Sequence, residues 1–141
     1  MAPTELYRIR HAEIFSALGC LVMGLWLMRD VESMGTVAYH DLLEMASEKS
    51  WGAIFLLNGI IHALSLYING HRWWTPFLRL FACIGSVALY AAFVMGFAMA
   101  NPHTTAIPAY SIWGVLMSAS CAYRAYVDAI TGARRMYHGV V

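Results

Sequence analysis

Residues 51–69, WGAIFLLNGIIHALSLYIN, run without a single Asp, Glu, Lys or Arg. About 20 apolar residues suffice for a helix to cross a bilayer. Comparable runs occur at about 12–28, 77–100 and 108–127. This repetition constrains the chain more than any motif. Of its 141 residues 60% are hydrophobic and 12% charged, against roughly a quarter charged in ordinary soluble domains. The charges also gather between the runs. The expected fold is all-α: a polytopic membrane protein of one domain, residues 1–141, with four transmembrane helices in an up-down bundle.

The second run has a polar stripe. Asn58, His62, Ser65 and Asn69 recur at offsets of four, three and four, so they share one helical face. Lipid would not accommodate that face, so the other helices should pack against it. Three stripes of small residues offer places for close helix approach. They are Ser16, Cys20 and Gly24 on the first helix, Ala88, Ala92 and Gly96 on the third, and Gly114, Ser118 and Ala122 on the fourth.

The segments between the runs are short. Residues 29–50 interleave Asp41, Glu44 and Glu48 with Val37, Leu42 and Met45. This predicts an extramembrane amphipathic helix near 36–48, lying on the bilayer surface. Trp51 then falls where interfacial tryptophans sit. Gly70 can close the second helix, and Thr75-Pro76 can start the third. Gly132 is expected to end the fourth, leaving a short basic tail over 128–141.

The distribution of Lys and Arg sets the orientation. Arg8, Arg10, Arg72, Arg79, Arg124, Arg134 and Arg135 fall on one side, and only Arg29 and Lys49 on the other. By the positive-inside rule both termini are cytoplasmic in an inner membrane, and residues 29–50 are periplasmic. No small-x-small cleavage pattern follows Met28-Arg29, so the first run is expected to be retained.

Chemistry has few places to reside. Glu13, Arg79 and Arg124 approach the same cytoplasmic layer, where a Glu13–Arg79 or Glu13–Arg124 ion pair is expected. The alternative is that the arginines snorkel to lipid phosphates and Glu13 reaches water. His62 lies near mid-membrane. As a haem ligand it would need a second axial ligand at its depth. His11, His71 and His138 lie toward one side and His40 and His103 toward the other, so only a symmetric dimer would supply one. A neutral His62 hydrogen-bonded to Asn58, Ser86 or Ser118 is the expectation, with a relay or transport pathway as the alternative.

Cys20, Cys83 and Cys121 each lie inside an apolar run with no CxxC pair, so they read as buried small residues and not as metal ligands. There is no GxSxG, HExxH, P-loop or dinucleotide fingerprint. No enzymatic activity and no cofactor are expected, although bound lipid is. Net charge of +1 gives no reason to expect nucleic acid as a partner.

The opening RxRHAEIF, the GLWLM end of the first helix, the SEKSWGAIFLLNG start of the second and the arginine-bearing turn at Arg72 together resemble small four-helix membrane proteins of phages and proteobacterial prophages. The resemblance covers most of the chain. It implies a phage-related membrane role and no assigned chemistry. The expected function is helix–helix assembly, with itself or as an accessory subunit of a larger membrane complex. A holin-like permeabiliser is one alternative; a channel, transporter or haem protein centred on His62 is another.

Overall fold

The computed structural model describes residues 3–29, 33–68, 74–101 and 103–137, with 3–10, 132 and 134–137 as backbone only. Asn69, the Gly70–Trp73 turn with His71 and Arg72, and His138 therefore lie outside the described residues. So do the side chains of Arg8, Arg10, Arg134 and Arg135. Among the described residues every regular element is helical. Helix α1 covers Pro3–Leu27, a short 3-10 turn Val37–Tyr39 leads into α2, His40–Met45, and α3 covers Glu48–Ile68. Helix α4 covers Thr75–Ala100. The last long helix starts as α5, Ala106–Ala109, widens into a π-helical stretch at Tyr110–Leu116 and continues as α6, Met117–Tyr137.

Helices α3 and α4 are long and apolar enough to cross a membrane, and His11–Leu27 within α1 is a shorter apolar stretch. Each long helix packs antiparallel to the next. Gly24 of α1 faces Leu56 of α3 while Gly59 faces Leu21. Phe55 of α3 meets Phe93 of α4 while His62 meets Cys83. Arg79 of α4 reaches Asp128 while Gly114 faces Tyr90.

The small-residue stripes divide in use. Ser16, Cys20 and Gly24 are all buried, as are Gly114 and Ser118, with Ala122 half-buried. The stripe on α4 is not one interface: Ala88 is exposed, Ala92 half-buried, and Gly96 lies under Leu42 of α2. Helix α4 instead buries the face carrying Ser86, Tyr90, Phe93 and Phe97. Its neighbours receive large side chains there, with Gly114 opposite the Tyr90 ring. Burying an aromatic removes far more apolar surface than burying alanine.

Several boundaries differ from expectation. Residues 3–11 are the first turns of α1 and not a separate polar lead. The last helix runs through Gly132 to Tyr137, since one glycine costs a helix only about 1 kcal/mol. Thr75 is buried inside the first turn of α4 and Trp74 takes the N-cap position. The expected surface helix is a compact cap over one end of the bundle. Met34 and Leu42 are buried in it, and the Trp51 indole N–H donates to the Leu42 carbonyl at 2.9 Å. Trp51 is therefore a buried anchor for the cap, not an interfacial residue facing headgroups.

Glu48, at the start of α3, closes this cap. Its Oε1 accepts from the Ser33 N–H at 3.1 Å and from the Ser33 hydroxyl, and its Oε2 accepts from the Met34 N–H at 3.3 Å. A carboxylate here also suits the positive end of the helix dipole. Burial, with the Glu48 charge nearby, raises the Tyr39 phenol above its usual range. Glu48→Ala should release the cap at a cost of about 1–3 kcal/mol. Limited proteolysis over residues 33–47 checks this: cleavage should accelerate, and an unchanged rate would refute the tether.

Candidate functional site: a buried polar column

Polar side chains sit inside the bundle in three tiers. Helix α4 supplies Arg79, Cys83 and Ser86 at offsets of four and three, and α3 supplies Asn58, His62 and Ser65 at offsets of four and three. Helix α1 supplies Glu13, Ser16 and Cys20, again three and four apart. One face of each helix therefore points at the same axis.

The first tier is ionic. Arg79 Nε donates to Glu13 Oε2 at 3.0 Å, and Nη2 donates to Glu13 Oε1. Arg79 Nη1 donates to Asp128 Oδ2 at 3.1 Å. The planar guanidinium suits this two-pronged grip on a carboxylate. Glu13 and Arg79 are 1% and 4% exposed, whereas Asp128 is 54% exposed. Among the described residues the Arg79 guanidinium thus meets two carboxylates, one of them in reach of solvent.

The second tier centres on His62, which is fully buried. Its Nε2 lies 3.5 Å from Cys83 Sγ, and Ser65 Oγ donates to its backbone carbonyl at 2.6 Å. Nδ1 is buried with no hydrogen-bond partner. A tautomer with the proton on Nε2 satisfies the donor at Cys83 and leaves only a bare acceptor at Nδ1. Ser16 and Ser118 join α1 to α6 through their hydroxyls at 3.0 Å.

In the third tier Asn58 Nδ2 donates to the Ala82 carbonyl at 3.2 Å and to Ser86 Oγ at 2.9 Å, and lies 3.6 Å from Cys20 Sγ. Ser86 Oγ donates to the Ala82 carbonyl at 3.0 Å and lies 3.3 Å from Cys20 Sγ. Beyond it the axis turns aromatic. Phe55 meets Tyr90 and Phe93 edge-on, and Tyr110 stacks on Phe93. The polar column therefore stops inside the bundle.

This geometry decides among the expected contacts. Arg79 grips Glu13; Arg124 is exposed but not without a partner. Asn58, Ser86 and Ser118 are engaged elsewhere, so His62 meets none of them; its partner is Cys83. The thiol and imidazole are the residue types of a nucleophile–base pair. Both are wholly buried, and neither of the apolar cavities beside α1 borders them. Haem ligation through His62 Nε2 would require Cys83 to move away.

Sequence reasoning missed Asp128 and the Cys83 contact. Asp128 continues the face of Ser118, Cys121 and Ala125 at offsets of three, four and three, but lies beyond the expected helix end. At the opposite end, His40 lies 3.6 Å from Asp41 and 3.7 Å from Glu44, an exposed charge group of the ordinary surface kind. Searches of the chain against protein-family models, curated proteins and solved structures gave no match.

Proposed function

We propose that this is an integral membrane protein of four spans whose role is assembly, with a second copy or as an accessory subunit of a larger membrane complex. One observation carries the reading: the polarity of the bundle is inverted. Glu13, Arg79, His62 and Asn58 are buried, while Phe15, Leu25, Leu57, Phe81, Ile84 and Trp113 are exposed. Soluble monomers rarely expose contiguous apolar surface beyond a few hundred Å². A bilayer makes the same surface favourable and favours enclosing the polar groups.

The excess of Arg at the Glu13–Arg79 end supports a cytoplasmic location for both termini, with the cap outside in an inner membrane. Most small residues are occupied within the bundle. A partner helix is therefore left the apolar face of α4 that carries Phe81, Ala88 and Met95. The phage-like resemblance makes a holin the neighbouring hypothesis. It is the weaker one, because the polar face of α3 is turned inward and would line a lesion only if the bundle opened. A channel centred on His62 meets the aromatic end of the column.

The test is fractionation followed by mass. The protein should resist alkaline extraction from membranes, and a cysteine placed at Ser47 should react with an impermeant thiol reagent added from outside. In mild detergent its native mass should exceed one chain or include a second protein. Alkaline release would refute the membrane reading. A clean monomer with nothing co-purifying would refute assembly.

A further inference from the structure

Helices α1 and α6 touch at Ser16–Ser118, and on the cap side of that contact α1 and the π-helical stretch Tyr110–Leu116 line a common space. Between them lies an apolar cavity of about 390 Å³ along Ser16, Gly19 and Met23, with Tyr90 as its floor and Tyr110 and Trp113 on the facing wall. A second cavity of about 290 Å³ shares Met23 and Tyr110 with it and continues past Trp26 to Ser33 and Tyr39. The two adjoin through these shared residues and make a crevice along α1 from Ser16 to Trp26, about 15 Å of helix. Its sides carry the exposed Phe15 and Trp113. The Arg29 guanidinium lies 4.9 Å over the ring of Trp26, which lines the second cavity.

We propose that this crevice is a phospholipid site. One acyl chain lies along α1 from the cap toward Ser16, and the phosphate meets Arg29. This rests on the membrane reading above. The long, narrow, apolar shape suits an alkyl chain, whose burial is favourable at every methylene, and not a compact polar ligand. Guanidinium is the side chain suited to phosphate oxygens. The charge of the segment that carries Arg29 selects the headgroup. Residues 29–50 hold five acids, Asp30, Glu32, Asp41, Glu44 and Glu48, against Arg29 and Lys49. That excess repels a lipid of net negative charge and suits a zwitterionic headgroup carrying its own ammonium. The lipid is therefore of the phosphatidylethanolamine class.

The full chain is reconstituted into bilayer discs of equal parts phosphatidylethanolamine and phosphatidylglycerol, re-extracted in mild detergent and weighed by native mass spectrometry. One phosphatidylethanolamine should remain per chain, with little phosphatidylglycerol. Ala109 is exposed on the crevice wall, so Ala109→Trp fills the crevice and should lower retention roughly tenfold, the factor for 1.4 kcal/mol. Arg29→Gln, at an exposed position outside the bundle contacts, should also lower it. Circular dichroism confirms that both variants keep their helices. Inserted protein that leaves without lipid, holds phosphatidylglycerol equally well, or is indifferent to both substitutions overturns the site alone. Protein that fails to insert overturns the membrane reading as well.

Discussion

Arg79→Gln should cost the folded bundle about 3–5 kcal/mol, the range for removing one partner of a buried ion pair. The Glu13 carboxylate would be left 1% exposed, without the cation that accounts for both its oxygens. Glutamine cannot restore the two-pronged grip, and the Glu13 carboxylate is itself shut off from solvent. Glu13→Gln should cost less, because Arg79 retains Asp128, whose side chain is half in solvent. The double variant should lose less than the two single losses combined, since each residue's penalty consists largely of stranding the other. Reversible unfolding in mixed micelles, followed by circular dichroism, measures all three. Additive losses would show that the two residues do not act as a pair.

That ion pair also marks how far the sequence could be read. Glu13 and Arg79 were legible because each is a lone charge about one turn inside an apolar run, and apolar surroundings leave such charges few options. The inward face of α3 was legible from the offsets of Asn58, His62 and Ser65 for the same reason. Periodicity says which face turns inward, but not which residue of a neighbouring helix it meets. That choice depends on axial register, and a shift of one turn would exchange Cys83 for Arg79 or Ser86 opposite His62. Asp128 was hidden by a boundary judgement, as Gly132 and the basic tail suggested an earlier stop. The cap was hidden more deeply. Nothing local to Glu48 indicates that it accepts from Ser33 and Met34, which join it only after the chain has folded back over the bundle end.

The second large effect is expected at Gly24, where α1 and α3 approach backbone to backbone. A Cβ at Gly24 would lie 2.5 Å from the Leu56 nitrogen and 2.7 Å from its Cα, and one at Gly59 would lie 2.8 Å from the Leu21 nitrogen. These neighbours are backbone atoms, so no rotamer change relieves the overlap and the helices themselves must separate. Separation would also pull Cys20 from Asn58, now 3.6 Å apart, and strain the Ser16–Ser118 bond. Gly24→Val should therefore cost about 3 kcal/mol, the upper end of what overpacking usually costs. Gly24→Ala should cost less but remain measurable, because the first added carbon already overlaps. The loss from Gly24→Ala would run against helix propensity, which favours alanine by about 1 kcal/mol. Ala53→Val on the exposed side of α3 should stay within about 0.5 kcal/mol of the parent, which separates a contact effect from a general cost of valine in these helices. The same unfolding measurement reads all of these variants. A Gly24→Val protein as stable as the Ala53→Val protein would mean that α1 and α3 do not pack backbone to backbone, and the register of the whole polar column would fall with that contact.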